Sequence, residues 1–334
     1  MGLSVGYVIR RIAMFLVVIW VAATINFIIP RLVPGDPIQT MLAHMAQTER
    51  IENAAAITQE LRATYGLDAP IQEQYARYIL NSFRFDFGLS LNQFPTKVGD
   101  LVLRAMPWTI GLLATTTLLS FGLGTLMGAL LVWRGTPRWA QVMLTPFTFF
   151  AAVPYFLLAV VFLYLFAYVW KILPTGGVAT AGAKAEWTLA YVGDVLQHFI
   201  LPAAAMALAG LGNWMLGIRG MMVTTIGADY LNLAYAKGLT DRRIFFRYAL
   251  RNAMLPQVTS LVIALGHIVS GAILIEVIFT LPGIGNLLYR SIGFLDYPMI
   301  QGITFVLVVS VAFSVLLLDL FYPRLDPRIT YTRK

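Results

Sequence analysis

The sequence predicts an all-α polytopic membrane protein with six transmembrane helices and both termini in the cytoplasm. Composition, six charge-free apolar stretches and the placement of basic residues predict it. Of 334 residues, 59% are hydrophobic and 12% charged, against about half and about a quarter in ordinary soluble domains. So little charge cannot coat a water-soluble core, and a disordered chain needs more still, so both classes are excluded. Cysteine is absent, which removes thiol nucleophiles, thiolate metal sites and disulfides. The three histidines, His44, His198 and His267, form no paired motif, and no metal site is expected.

A spanning helix needs about 20 mostly apolar residues, because each rises about 1.5 Å across a core of about 30 Å. The charge-free stretches lie between Arg11 and Arg31, Arg104 and Arg134, Arg138 and Lys171, Asp194 and Arg219, Arg251 and Glu276, and Asp296 and Asp319. They hold 19, 29, 32, 24, 24 and 22 residues. The first exceeds the core of a secretory signal, about 7–15 residues, and ends at Pro30-Arg31 in place of a small-residue cleavage site. It is read as a retained span. With the N-terminus inside, the segments that bear on orientation divide their Lys and Arg residues 14 inside to 3 outside. Seven more lie in the long segment 31–104, where the positive-inside rule has little force.

That segment is nearly neutral and contains two helical patterns. One runs from about Thr48 to Gly66, and one starts after Asp68-Ala69-Pro70 and places Ile71, Tyr75, Tyr78 and Ile79 on one face. A small helical cap on the spans is the economical reading; a docking surface for an extracytoplasmic partner is the functional one. The chain therefore divides into residues 1–105 (first span and external loop), 106–320 (a five-helix core with a cytoplasmic loop at 219–255) and 321–334 (a cytoplasmic tail).

The span interiors carry no charge, which argues against a proton-coupled pump, a voltage sensor or another secondary transporter or channel. Glu276 and Asp319 fall at span ends, where a headgroup-level position accommodates them. Asn26, Asn213, His267 and Gln301 are the polar candidates for lining a pathway; hydrogen bonding between helices is the economical reading of each. Gly177 and Gly182 have phosphate-loop spacing, but Ala183 precedes Lys184 and no Ser or Thr follows that lysine. Gly124 and Gly128 lie within a span, where their spacing suits close helix packing. An intramembrane enzyme would need a nucleophile and base together, and His267 has no partner that the sequence places beside it. The chain has no visible energy source of its own.

The segment 219–255 does not read as a passive linker. Asp229 is placed to cap a short helix, Tyr230 to Lys237, that ends at Gly238. Thr240 is placed to cap a second helix with Ile244, Phe245, Tyr248 and Ala249 as its apolar face. Arg243, Arg247 and Arg251 form a basic stripe that suits an anionic inner leaflet. A capped, glycine-terminated helix leaving the membrane reads as a hook for a cytoplasmic partner.

At this point the sequence becomes recognisable. Ala234-Tyr-Ala-Lys-Gly238-Leu followed by Ala249-Leu-Arg-Asn-Ala-Met-Leu-Pro256 resembles the EAA-type coupling motif of ABC importer permeases, in the form of the dipeptide/oligopeptide/nickel family. Val33-Pro-Gly-Asp-Pro37, Glu276-Val-Ile-Phe-Thr-Leu-Pro-Gly-Ile-Gly285, Asp296-Tyr-Pro298 and Leu325-Asp-Pro-Arg-Ile329 extend the resemblance over nearly the whole chain. The resemblance implies the ABC type I importer transmembrane fold in a bacterial inner membrane. It also implies a second homologous permease, two cytoplasmic ATPases and an extracytoplasmic solute-binding protein as partners. ATP and Mg would sit on those ATPases, with no cofactor and no enzymatic activity in this chain. Coupling would fall to Asn232, Leu233, Ala234, Lys237, Gly238, Leu239, Asp241 and Arg242. Asn232 stands where the motif has its name-giving glutamate. The family's cargo includes oligopeptides, oligosaccharides and nickel.

Overall fold

The computed structural model describes residues 5–32, 35–36, 38–42, 58–59, 62–63, 65–66, 68–137, 139, 142, 144–266, 268 and 272–325. These residues are almost wholly helical, and an isolated bridge between Leu89 and Lys97 is the β-type pairing among them. Among the described residues, four helices are long and apolar enough to cross a membrane: α1 (Val5–Leu32), α3 (Val98–Val132), α6 (Leu189–Ile226) and α12 (Tyr297–Leu325). Between α1 and α3 lies α2 (Ile71–Phe83). The pattern expected from Thr48 to Gly66 lies mostly outside the described residues, as do most of the segments Val33–Pro37 and Leu325–Ile329.

Two of the six predicted spans are not single helices. The stretch after Arg138 forms α4 (Leu144–Ala152) and α5 (Tyr155–Phe162), the latter continued by a π-helical segment, Leu163–Val169. The two parts are bent by 103°. Pro154 is the cause: it has no N–H to donate, and its ψ of 130° is extended where a helix would need a negative value. With this bent pair taken as one span, the count reaches five. The stretch before Glu276 forms α9 (Arg251–Gly266) and the short α10 (Ile273–Ile278). The 16 residues of α9 extend about 24 Å, short of the bilayer core.

The chain forms two compact units, divided within α3 between Ile110 and Gly111. In the first unit, which also takes Val269–Val277 and Pro282–Lys334, α1 and α12 run antiparallel. Arg11 Nη1 lies 2.9 Å from Asp319 Oδ2 near one end. Asn26 Nδ2 donates to the Gln301 carbonyl at 2.9 Å near the other, with Ile19, Ala23 and Phe305 buried between. Helix α2 packs on α1 as a cap: Phe27 meets the Tyr75 and Tyr78 rings at 5.3 and 5.5 Å. Thr24 Oγ1 and the Tyr75 hydroxyl are 2.8 Å apart. Tyr75, Tyr78 and Ile79 turn inward as the pattern predicts. Ile71 does not; at the first residue of α2 it is 61% exposed, one turn short of the α1 contact.

The first unit also holds two buried carboxylates that act as helix clamps. Asp296 caps α12, accepting from the Met299 N–H at 3.2 Å, and also takes the Ser90 hydroxyl and the Asn92 N–H. Glu276, read from the sequence as a span-end charge, is buried inside the protein. It is 1% exposed and accepts from Thr109 Oγ1 at 2.7 Å and the Asn286 N–H at 3.0 Å. Those bonds hold the start of α11 (Ile284–Gly293). The intervening run Phe279–Gly283 supplies the turn, so that a charge four residues into α10 reaches forward to donors that α11 leaves unpaired.

In the second unit, Gly111–Ile268 with Ile278–Leu281, α3 packs closely on α6. A Cβ on Gly124 would lie 2.6 Å from the Leu211 carbonyl, and one on Gly128 would strike the Met215 carbonyl. The close-packing reading of this glycine pair is therefore correct. Gly212 of α6 gives the same access to α4, at Phe147 and Ala151. The Gly177 N–H donates to the Phe279 carbonyl at 2.8 Å.

Candidate coupling surface

The segment that leaves α6 folds into α7 (Asp229–Ala236) and α8 (Asp241–Ile244), joined by the turn Lys237–Thr240. Helix α7 starts at its expected cap, one residue earlier than the expected Tyr230. Ala228 is the N-cap, extended at φ −81° and ψ 138°, and Asp229 is the first helical residue. Its carboxylate acts there on the helix dipole, not through a side-chain cap bond. The C-terminus closes as a Schellman motif: the Leu239 N–H bonds the Ala234 carbonyl at 3.3 Å and the Gly238 N–H bonds the Tyr235 carbonyl at 2.9 Å. Gly238 sits at φ +69°, and a Cβ there would meet nothing within 4 Å. Its constraint is conformational, not spatial.

Thr240 occupies the N-cap position of α8, as read from the sequence, but its side chain makes no cap bond. The second helix is also longer than expected. Helix α8 passes through a π-helical turn, Phe245–Leu250, directly into α9. Its predicted apolar face is real: Ile244, Phe245 and Ala249 are buried with Leu231 and Ala234 of α7 against Ala129, Ile218 and Met222. Tyr248 packs at the margin of the same cluster. The inner faces of both short helices thus spend their apolar side chains on their own unit.

What remains is an outward face. Asn232, Leu233, Lys237, Gly238, Asp241 and Arg242 are exposed, Leu233 to 57%. The remaining two coupling candidates play another part: Ala234 is 3% exposed and Leu239 half-buried, so they seat the helix and leave contact to the other six. Arg243, Arg247 and Arg251 are exposed, and the first two line a shallow groove with Thr240, Arg242 and Phe246.

The pathway candidates are not gathered in one place. Asn26 and Gln301 meet in the first unit, where Asn26 is 7% exposed and also donates to the Tyr78 hydroxyl at 3.0 Å. Asn213, in the second unit, is exposed and bonds the Ala209 carbonyl of its own helix at 3.1 Å. His267 lies outside the described residues. Sequence reasoning missed Trp133, Arg134 and Tyr235, which surround the turn from behind; the signal was an aromatic-basic pair closing a span just as the loop opens with its own aromatics.

Residues 120–331 match the family model of binding-protein-dependent transport system inner membrane components, a region that contains the whole coupling surface. The chain belongs to this family. As a permease subunit it is similar to the oligopeptide transport system permease protein AppB of Bacillus subtilis, 30% identical over 328 residues covering 98% of this permease and 99% of that protein. The dipeptide transport system permease protein DppB of the same organism is 31% identical with the same coverage. The probable D,D-dipeptide transport system permease protein DdpB of Escherichia coli is 34% identical over 91% of the permease and 92% of its own length.

Proposed function

We propose that this permease forms half of the translocation pathway of an ATP-driven importer that carries peptides across a bacterial cytoplasmic membrane. A solute-binding protein delivers cargo from outside, and a second homologous permease completes the pathway. Two cytoplasmic ATPases bind ATP and Mg, so the permease itself is not an enzyme and holds no cofactor. The observation that carries the reading is the outward face of α7 and its turn: Leu233, Lys237 and Arg242 are exposed on a helix whose opposite side is fixed in the second unit. A helix seated on one side and bare on the other passes movement from a bound partner to the spans. Peptide is favoured over oligosaccharide because the similar permeases are named for oligopeptide, dipeptide and D,D-dipeptide transport.

The proposed topology has six spans with both termini cytoplasmic. The 14-to-3 charge bias supports it, and so does the Arg11–Asp319 ion pair, which brings the start of α1 and the end of α12 to the same side. The bent α4–α5 pair supplies one crossing and the α9–α10 stretch another. The test is reconstitution of the four components in proteoliposomes, with uptake of a labelled oligopeptide mixture measured beside maltotetraose. Peptide uptake that requires ATP, the ATPases and the binding protein is expected. Uptake by the permease alone under a pH gradient would overturn the assignment in favour of a secondary transporter.

A further inference from the structure

The end of α3 is fixed more firmly than a loop junction requires. Gly135 takes φ +86°, and the Thr136 hydroxyl donates to the Leu130 and Trp133 carbonyls at 2.6 and 2.9 Å. This cap holds Trp133 and Arg134 on a defined last turn. Arg134 places its guanidinium carbon 4.9 Å from the centre of the Tyr235 ring, three residues before Gly238. Trp133 meets Phe245, seven residues after Gly238, edge to face at 5.0 Å. Two adjacent residues just past the end of α3 therefore touch both arms of the turn that carries the outward face. Burial and the Asp241 carboxylate push the Tyr235 pKa up, while Arg134 pulls it down. The ring stays neutral, and its face stays available to the cation.

We propose that Trp133 and Arg134 form a clasp that positions α7 and passes its displacement to α3. They are positioning residues, and the proposal rests on the reading of α7 as the ATPase-facing helix. The clasp has complementary parts. Trp133 and Phe245 are apolar and half-buried or buried, so they hold by packing. Arg134 is exposed, so its contact with Tyr235 tolerates sliding while its charge stays hydrated. A hinge of this kind transmits rotation of α7 without releasing it. With the clasp broken, α7 stays attached through its buried inner face, where Ala129 of α3 still touches it, but loads α3 less.

The permease has no cysteine, so pairs of spin labels can be placed at Leu126 and Val223 of the complete importer, on α3 and α6 of one unit. The measurement is the change in label separation on adding ATP under non-hydrolysing conditions, beside co-purification of the ATPases. Arg134→Gln and Tyr235→Leu should reduce the ATP-induced change by roughly two- to fivefold, the shift that loss of one cation–ring contact allows, with the ATPases still bound. Arg134→Lys and Tyr235→Phe keep a cation and a ring and should retain it. A full ATP-induced change in both Arg134→Gln and Tyr235→Leu overturns the clasp. If Leu233→Asp and Gly238→Val also leave ATPase binding and the ATP-induced change intact, the reading of α7 itself fails, and the clasp with it.

Discussion

Glu276 and Thr109 meet inside the first unit with 2.7 Å between carboxylate and hydroxyl, and both side chains are buried. The same hydroxyl accepts the Ile284 N–H at 2.8 Å, so one threonine joins the carboxylate to the start of α11. Removing the carboxylate strands several donors at once, each at a cost of about 1–3 kcal/mol. Glu276→Ala should lower stability by about 3 kcal/mol, and Thr109→Val by about half as much. Thermal unfolding in detergent checks both. Gly283→Ala should match the larger loss, because its Cβ would land on the Glu276 carboxylate.

Gly238→Val forces a β-branched residue into φ +69°, at about 1–2 kcal/mol of local strain. The spans should insert and fold as before, because no neighbour crowds that Cβ. Transport should be abolished, since the chain entering Thr240 leaves the turn in a new direction. Gly238→Asn should retain much of the uptake, because asparagine tolerates left-handed backbone. Uptake assayed beside ATPase co-purification separates loss of coupling from loss of binding.

Arg242 is exposed at the rim of the outward face. Arg242→Glu should weaken ATPase co-purification severalfold at low salt and less at about 0.5 M, where screening extends over only a few ångströms. Membrane levels of the permease should not change. Unchanged ATPase recovery at low salt would remove Arg242 from the interface.

Topology can be tested directly. Reporter fusions after Arg138, Thr240 and Lys334 should behave as cytoplasmic, and those near Gln72 and Gly182 as external. A cytoplasmic signal from the Gln72 fusion would invalidate the six-span arrangement.

Gly128→Val should prevent close approach of α3 to α6, since even a Cβ there strikes the Met215 carbonyl and the Ile218 side chain. Gly122→Val, six residues earlier and open on that side, should be tolerated. Yield of monodisperse protein after detergent extraction distinguishes the two.

The sequence by itself determined the membrane class, the apolar stretches and the place of the short helix ending at Gly238, because these depend on composition and on local rules. Gly238 shows why: a helix end needs a left-handed residue, and the signal for it is a single glycine beside its own helix. Gly124 and Gly128 were legible for the same reason, as a spacing within one helix. The tertiary structure alone decided what depends on partners distant in the chain. The bond between Glu276 and Thr109 joins residues 167 apart in the chain, and no local pattern announces it. The buried side of α7 likewise follows from which surfaces pack together. Trp133 and Arg134 acquire a role only because folding brings Tyr235 and Phe245 beside them, and periodicity within one stretch carries no record of a contact about a hundred residues away.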